Sequence, residues 1–170
     1  VGWIGSPSTA KYLQMLASSL ETLSALFPLR LRAIGGGGVR LPGVEVENLP
    51  WSELEEVSML QGCDIGVMPL ADTPWERGKC GFKLIQYMAC RKPVVASPVG
   101  VNREIVVDGV NGFLASSHDE WVRALERLKS DPELRKTMGA NGRRMVEEKY
   151  CLQVTAPRLH WLLLEAAGRA

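Results

Sequence analysis

Apolar residues along the chain fall in two kinds of pattern. Tyr12, Leu13, Leu16, Leu20, Leu23 and Phe27 are separated by one, three, four, three and four positions, the spacing of one face of a helix. Ser6-Pro7 suits the start of that helix and Pro28 ends it. Short runs without helical period read as buried strands: Val1 to Gly5, Leu29 to Ile34, Val44 to Val46, Asp64 to Leu70, Val94 to Ser97 and Phe113-Leu114. Between them the pattern predicts a helix from about Ser52 to Gln61, a polar surface loop from Ala71 to Gly81, and a helix with Phe82, Ile85, Met88 and Ala89 on its apolar face. Gly100-Val101-Asn102 opens a short helix and Asn111-Gly112 makes a turn. Helices fill the remainder, from about Asp119 to Lys129, Pro132 to Lys149 and Val154 to Ala167, with Gly139 and Gly142 as weak points of the second. Short apolar strands alternating with helices imply an α/β fold, a doubly wound, Rossmann-like parallel sheet covered on both faces.

Composition narrows the class of partner. With 170 residues, 46% hydrophobic and 23% charged, the chain suits one domain with a sizeable core. Twenty basic against nineteen acidic side chains give a net charge of +1, which offers no electrostatic case for nucleic acid or a membrane surface and points to a small partner. Cys63, Cys80, Cys90 and Cys151 show no C-x-x-C pairing, so buried free thiols in a reducing compartment are expected. Without a long apolar run or a signal pattern the chain reads as cytoplasmic. It begins at Val1 and enters VGWIG at once, as a piece of a longer protein would.

In such a sheet ligands bind beyond the carboxyl ends of the strands, which singles out the junctions at residues 5–11, 35–38, 70–83 and 98–104. Glycines there let backbone N–H groups and helix N-termini approach an anion, and Lys11, Arg77, Lys79 and Lys83 add positive charge at the same edge. That chemistry suits a diphosphate. Gly35 to Gly38 do not form a dinucleotide fingerprint, since no helix follows closely. With no D-x-D or carboxylate cluster in these loops, no metal or other cofactor is expected.

The segment KCGFKLIQYMACRKPVVASPVGVNREI, Lys79 to Ile105, resembles glycosyltransferase family 4, the group 1 glycosyltransferases. Met88 to Pro93 and Gly100 to Val106 carry the likeness most closely, supported by the Asp64 to Pro69 strand and the Asn111-Gly112-Phe113-Leu114 turn. The resemblance implies the C-terminal, nucleotide-sugar-binding half of the two-domain GT-B fold, with residues 1–170 as one such domain. It implies retaining, metal-independent sugar transfer from a nucleoside diphosphate to a saccharide or lipid-linked glycan held by an N-terminal domain. The last helix, about 154–167, would pack toward that domain, the piece alone would transfer little, and the domain could lie peripherally at a membrane.

Two departures from the family pattern bear on the site. Its paired glutamates, eight positions apart, fall on Gly78 and Gln86, and its glycine-arginine-(x4)-lysine pattern reads Gly5-Ser6 to Lys11. By the resemblance, Gln86 holds the ribose hydroxyls, Glu76 substitutes for the first carboxylate, and Lys79, Lys83 or Arg77 replaces the charge lost at Ser6. Lys11 and Lys83 are the expected catalytic cations; Gly5, Ser6, Glu76, Arg77, Gly78, Lys79, Gly81, Gln86, Gly100, Val101 and Asn102 form the expected donor site. Two other readings stay open, a non-catalytic nucleotide-binding domain and a nucleotide-sugar epimerase of the same fold. Trp75 either stacks on a ligand or packs beneath its loop.

Overall fold

The computed structural model describes residues 1–168. Six parallel strands form one sheet in the order β3-β2-β1-β4-β5-β6: β1 (Gly2–Ile4), β2 (Arg30–Ile34), β3 (Glu45–Leu49), β4 (Gly66–Met68), β5 (Val94–Ala96) and β6 (Gly112–Leu114). The strand order reverses between β1 and β4, the switch point of a doubly wound sheet.

Successive strand residues point to opposite faces, and both faces are buried. Trp3, Leu31, Ala33, Val67 and Val95 pack under a 3-10 helix (Ala10–Leu16), α1 (Ala17–Leu26) and α6 (His118–Ser130). Ile4, Ile34, Met68, Val94 and Ala96 pack under α2 (Glu56–Gln61), α4 (Phe82–Ala89) and α7 (Pro132–Lys149). Two one-turn helices, α3 (Pro74–Arg77) and α5 (Asn102–Ile105), lie in the loops after β4 and β5, and α8 (Leu152–Ala166) follows α7.

Several expected boundaries move for local reasons. Ser6-Pro7 does not cap the first helix: Ser6 N–H donates to Thr9 Oγ1 and Thr9 Oγ1 donates to the Ser6 carbonyl, both at 3.0 Å, tying a turn that delays the helix to Ala10. β3 runs to Leu49 because it pairs residue for residue with all of β2. The apolar face of α4 is Leu84, Tyr87 and Met88, all fully buried, while Phe82 is 59% exposed.

Gly139 and Gly142 are close-packing positions rather than weak points. A Cβ at Gly139 would stand 2.1 Å from the Arg91 carbonyl oxygen, and one at Gly142 2.8 Å from Met88 Cγ. Only Cys63 of the four cysteines is buried, and Cys80 is exposed; all four are free. Trp3 and Trp121 are core, whereas Trp51 and Trp161 are about half exposed. α8 buries none of its residues, and no described helix is long and apolar enough to cross a membrane.

Candidate functional site

At the switch point the sheet is opened by a side chain. β1 and β4 share one register pair, Gly2 with Gly66. Beyond it Tyr87 of α4 intervenes: its hydroxyl accepts from Ile4 N–H at 2.9 Å and donates to the Val67 carbonyl at 3.3 Å. The carboxyl ends of β1 and β2 are thereby separated from the loop after β4. α4 follows that loop, with Lys83 and Gln86 one turn apart on the same side.

Gly5, Ser6, Gly35, Trp51, Lys83 and Gln86 line an open cleft of about 520 Å³ here. A second cavity of about 320 Å³ lies among Arg30, Arg32, Asp64, Lys129 and Arg135. It sits at the amino ends of the strands, the end of a doubly wound sheet where ligands do not bind.

Three lysines converge on two aromatic rings at the carboxyl edge. Lys83 Nζ lies 4.4 Å from the Trp3 ring centre, and a Cβ at Gly5 would come 2.7 Å from it. Lys79 and Lys11 lie 4.1 and 5.3 Å from the centre of the Tyr12 ring. Burial, and then the neighbouring Lys79 charge, lower the Lys83 pKa to about 8; burial lowers that of Lys79 as well. The rings hold these ammonium groups without neutralising them, leaving their charge for an anion.

The loop after β4 is braced from below. Glu76 is 6% exposed and accepts hydrogen bonds from Tyr12 Oη and Thr73 Oγ1, one on each carboxylate oxygen. These bonds, Thr73's the larger, lower the Glu76 pKa, and the same contact raises that of Tyr12. Each Glu76 oxygen thus holds one hydrogen bond from the loop or from Tyr12, and at 6% exposure the side chain is largely enclosed. Arg77 Nε is paired with Asp72 at 2.6 Å. Trp75 is 79% exposed and does not pack beneath the loop.

The glycines meet tight approaches. Gly81, at the N-terminus of α4, has φ +68, and a Cβ there would stand 2.4 Å from Ile105 Cδ1 and 3.2 Å from Val101 Cγ1. Gly100 has φ +52, and a Cβ there would stand 2.5 Å from the Arg77 carbonyl oxygen. Gly78 is exposed at the end of α3. Asn102 is 1% exposed, and its Nδ2 donates to the Ser97 carbonyl at 3.0 Å. Ser97 Oγ accepts from Leu70 N–H at 2.9 Å, so this pair joins the loops after β4 and β5.

Residues absent from the sequence reading complete the site. Gln86 Nε2 donates to Glu56 Oε1 and Trp51 Nε1 to Glu56 Oε2, each at 2.6 Å. Thirty residues separate Glu56 from Gln86, and only the fold joins them. Tyr12 and Trp3 were legible as apolar positions but not as platforms for lysine. No group of three His, Cys, Asp or Glu among the described residues could hold a metal.

The sequence profile described as Glycosyl transferases group 1 matches residues 45–145, more than half the chain. The chain belongs to that family. A D-inositol 3-phosphate glycosyltransferase of Stackebrandtia nassauensis is 34% identical over 167 residues, covering 82% of this chain and 36% of that protein. An uncharacterised glycosyltransferase of Methanocaldococcus jannaschii is 36% identical over 101 residues, 58% of this chain and 27% of its own. The chain thus spans roughly a quarter to just over a third of these group 1 relatives.

Solved structures share the fold at lower identity. Sucrose-phosphate synthase from Thermosynechococcus elongatus superimposes with a TM-score of 0.80 at 20% identity, over 99% of this chain and 46% of that one. Anabaena HepE, solved in complex with UDP-glucose, gives 0.78 at 20% identity over 96% and 48%. The C-terminal domain of a group 1 glycosyl transferase from Francisella tularensis gives 0.60 at 21% identity, over 88% and 83%. The fold is that of the C-terminal half of GT-B glycosyltransferases.

Proposed function

We propose that this chain binds the nucleoside-diphosphate portion of a sugar donor for retaining, metal-independent glycosyl transfer. The acceptor, a saccharide or lipid-linked glycan, is held by a domain outside the chain, and the enzyme works in the cytoplasm. The observation that carries this reading is the convergence of Lys11, Lys79 and Lys83 with the glycine turns at Gly5, Gly81 and Gly100 on one sheet edge. The UDP-glucose complex of HepE, a protein of the same fold, supports the ligand class.

As the bond from the anomeric carbon to the diphosphate breaks, its electron pair remains on the diphosphate oxygen. Lys83, half-buried and fixed over Trp3, meets that charge with little reorganisation. Lys79 and Lys11 extend the positive field, and the amides at the start of α4 present the unbonded end of a helix. Ser6, Gly78 and Val101 enter this reading as backbone along the donor's path.

A second reading has its own support: neither family carboxylate is present, Gly78 and Gln86 standing in their places. On that view the domain binds nucleotide without turnover. Membership of the group 1 glycosyl transferases favours transfer over the epimerase alternative. Calorimetry with UDP, GDP and their sugar conjugates separates the readings. Tighter binding of a conjugate, with transfer by the longer protein, supports the enzyme; equal binding of conjugate and bare diphosphate without transfer supports the non-catalytic domain; no saturable binding refutes both.

A further inference from the structure

Glu56 is a half-buried carboxylate on the wall of the carboxyl-edge cleft. Its two oxygens are held separately, Oε1 by the Gln86 amide and Oε2 by the Trp51 indole N–H, each at 2.6 Å. Both donors are neutral, and Glu56 forms no ion pair among the described residues. The carboxylate is anchored at both oxygens by neutral donors, and each oxygen retains a further acceptor site. Lys83, in the same cleft, recruits an anion, so a cationic ligand group is excluded from the remaining sites. What satisfies them is a pair of neutral hydroxyl donors one carboxylate-width apart, the chemistry of a vicinal diol.

The neighbouring features fix which diol. Half-exposed Trp51, which donates to Glu56, also bounds a hollow of about 390 Å³ with Pro50, Asn48, Gly35, Gly37 and Gly38. Lys83 and Gly5 line the cleft that Glu56 itself borders. Because the hollow and the cleft share Trp51 and Gly35, a hollow, a carboxylate and a cation adjoin one another, as base, ribose and phosphate do. We propose that Glu56 binds the ribose hydroxyls and makes the site specific for ribonucleotides, with Gln86 and Trp51 as positioning residues. The carboxylate missing at position 86 is thus supplied from α2. This assignment rests on the reading of the cleft as a nucleoside-diphosphate site.

The test compares UDP and GDP with their 2′,3′-dideoxy forms by calorimetry, on the wild-type chain and on Glu56→Gln, with thermal melting as the check on folding. Losing hydrogen bonds to a charged acceptor should make the dideoxy form of whichever diphosphate binds at least about tenfold weaker in the wild type. Glu56→Gln should weaken the ribo form about tenfold, leave the dideoxy form unchanged, and bring the two within about twofold. A wild type indifferent to the ribose hydroxyls overturns the proposal without any variant. So does a Glu56→Gln variant that keeps the wild-type ratio. Gln86→Ala should reduce the ratio while leaving part of it; abolition by Gln86→Ala but not by Glu56→Gln assigns the diol to Gln86 instead. Failure of the wild type to bind either ribonucleotide refutes the nucleotide reading itself, and is distinct from binding without discrimination.

Discussion

Lys83 Nζ stands 4.4 Å from the centre of the Trp3 ring. Burial and the Lys79 charge lower its pKa to about 8 from 10.5, so the folded protein holds this proton less tightly than the unfolded chain. Between those values the unfolded state binds more protons, and stability rises with pH across that window.

The first prediction concerns binding. Affinity for UDP falls as pH rises from about 7 to about 9, where the free ammonium titrates. In Lys83→Met that pH dependence disappears and affinity drops about 10- to 100-fold, while the melting temperature rises by a few degrees because a desolvated charge is removed. Calorimetry across pH and thermal melting check both. A variant that binds as tightly as wild type removes Lys83 from the site.

A second prediction follows from the loop brace. The Glu76 pKa is depressed below 4.5 by its bonds from Thr73 and Tyr12, so its contribution is fully present above 4.5 and lost as pH falls through the depressed value. Tyr12→Phe should destabilise the protein at about pH 6, and the gap to wild type should narrow at about pH 3. Urea titrations at both pH values decide this, and an equal gap at both refutes it.

Two glycines with positive φ allow a controlled comparison. Gly109 (φ +77) has nothing within 4 Å of an added Cβ, whereas a Cβ at Gly100 (φ +52) would stand 2.5 Å from the Arg77 carbonyl oxygen. Gly109→Ala should cost only the backbone penalty, about 1–2 kcal/mol. Gly100→Ala should cost more and also weaken diphosphate binding, because the loops after β4 and β5 are forced apart. Denaturant midpoints and calorimetry provide the measurement; equal losses at the two positions contradict it.

In α7, propensity and packing oppose one another. A Gly→Ala change inside a helix ordinarily stabilises by about 1 kcal/mol. At Gly139 the new methyl meets the Arg91 carbonyl at 2.1 Å, and overpacking of that kind costs about 1–3 kcal/mol. Gly139→Ala should therefore lower the urea midpoint, and a raised midpoint would show that α4 and α7 separate easily.

The sequence carried the fold because its signals were local. Strands buried on both faces read as unbroken apolar runs, and Pro132 marked the start of α7 at the observed residue. It misplaced the start of the first helix, where hydroxyls of Ser6 and Thr9 compete with the cap, and it chose Phe82 over Leu84 and Tyr87 on α4. The lysines were found through shared junctions, since chain order alone places Lys11, Lys79 and Lys83 at one edge. What they rest on was not legible: Trp3 and Tyr12 look like ordinary core positions. The bracing of Glu76 was not legible because its partner Tyr12 lies 64 residues away, and Glu56 escaped notice because nothing near it in the chain names Gln86.

The Tyr87 hydroxyl stands where a backbone hydrogen bond between β1 and β4 would otherwise lie. α4 is therefore at once a wall of the cleft and a fastener between the two halves of the sheet. A substitution that slides or tilts this helix moves Lys83 and Gln86 and loosens the central seam together. Ligand recognition and structural integrity share one lever here, and neither can be altered through α4 without registering in the other.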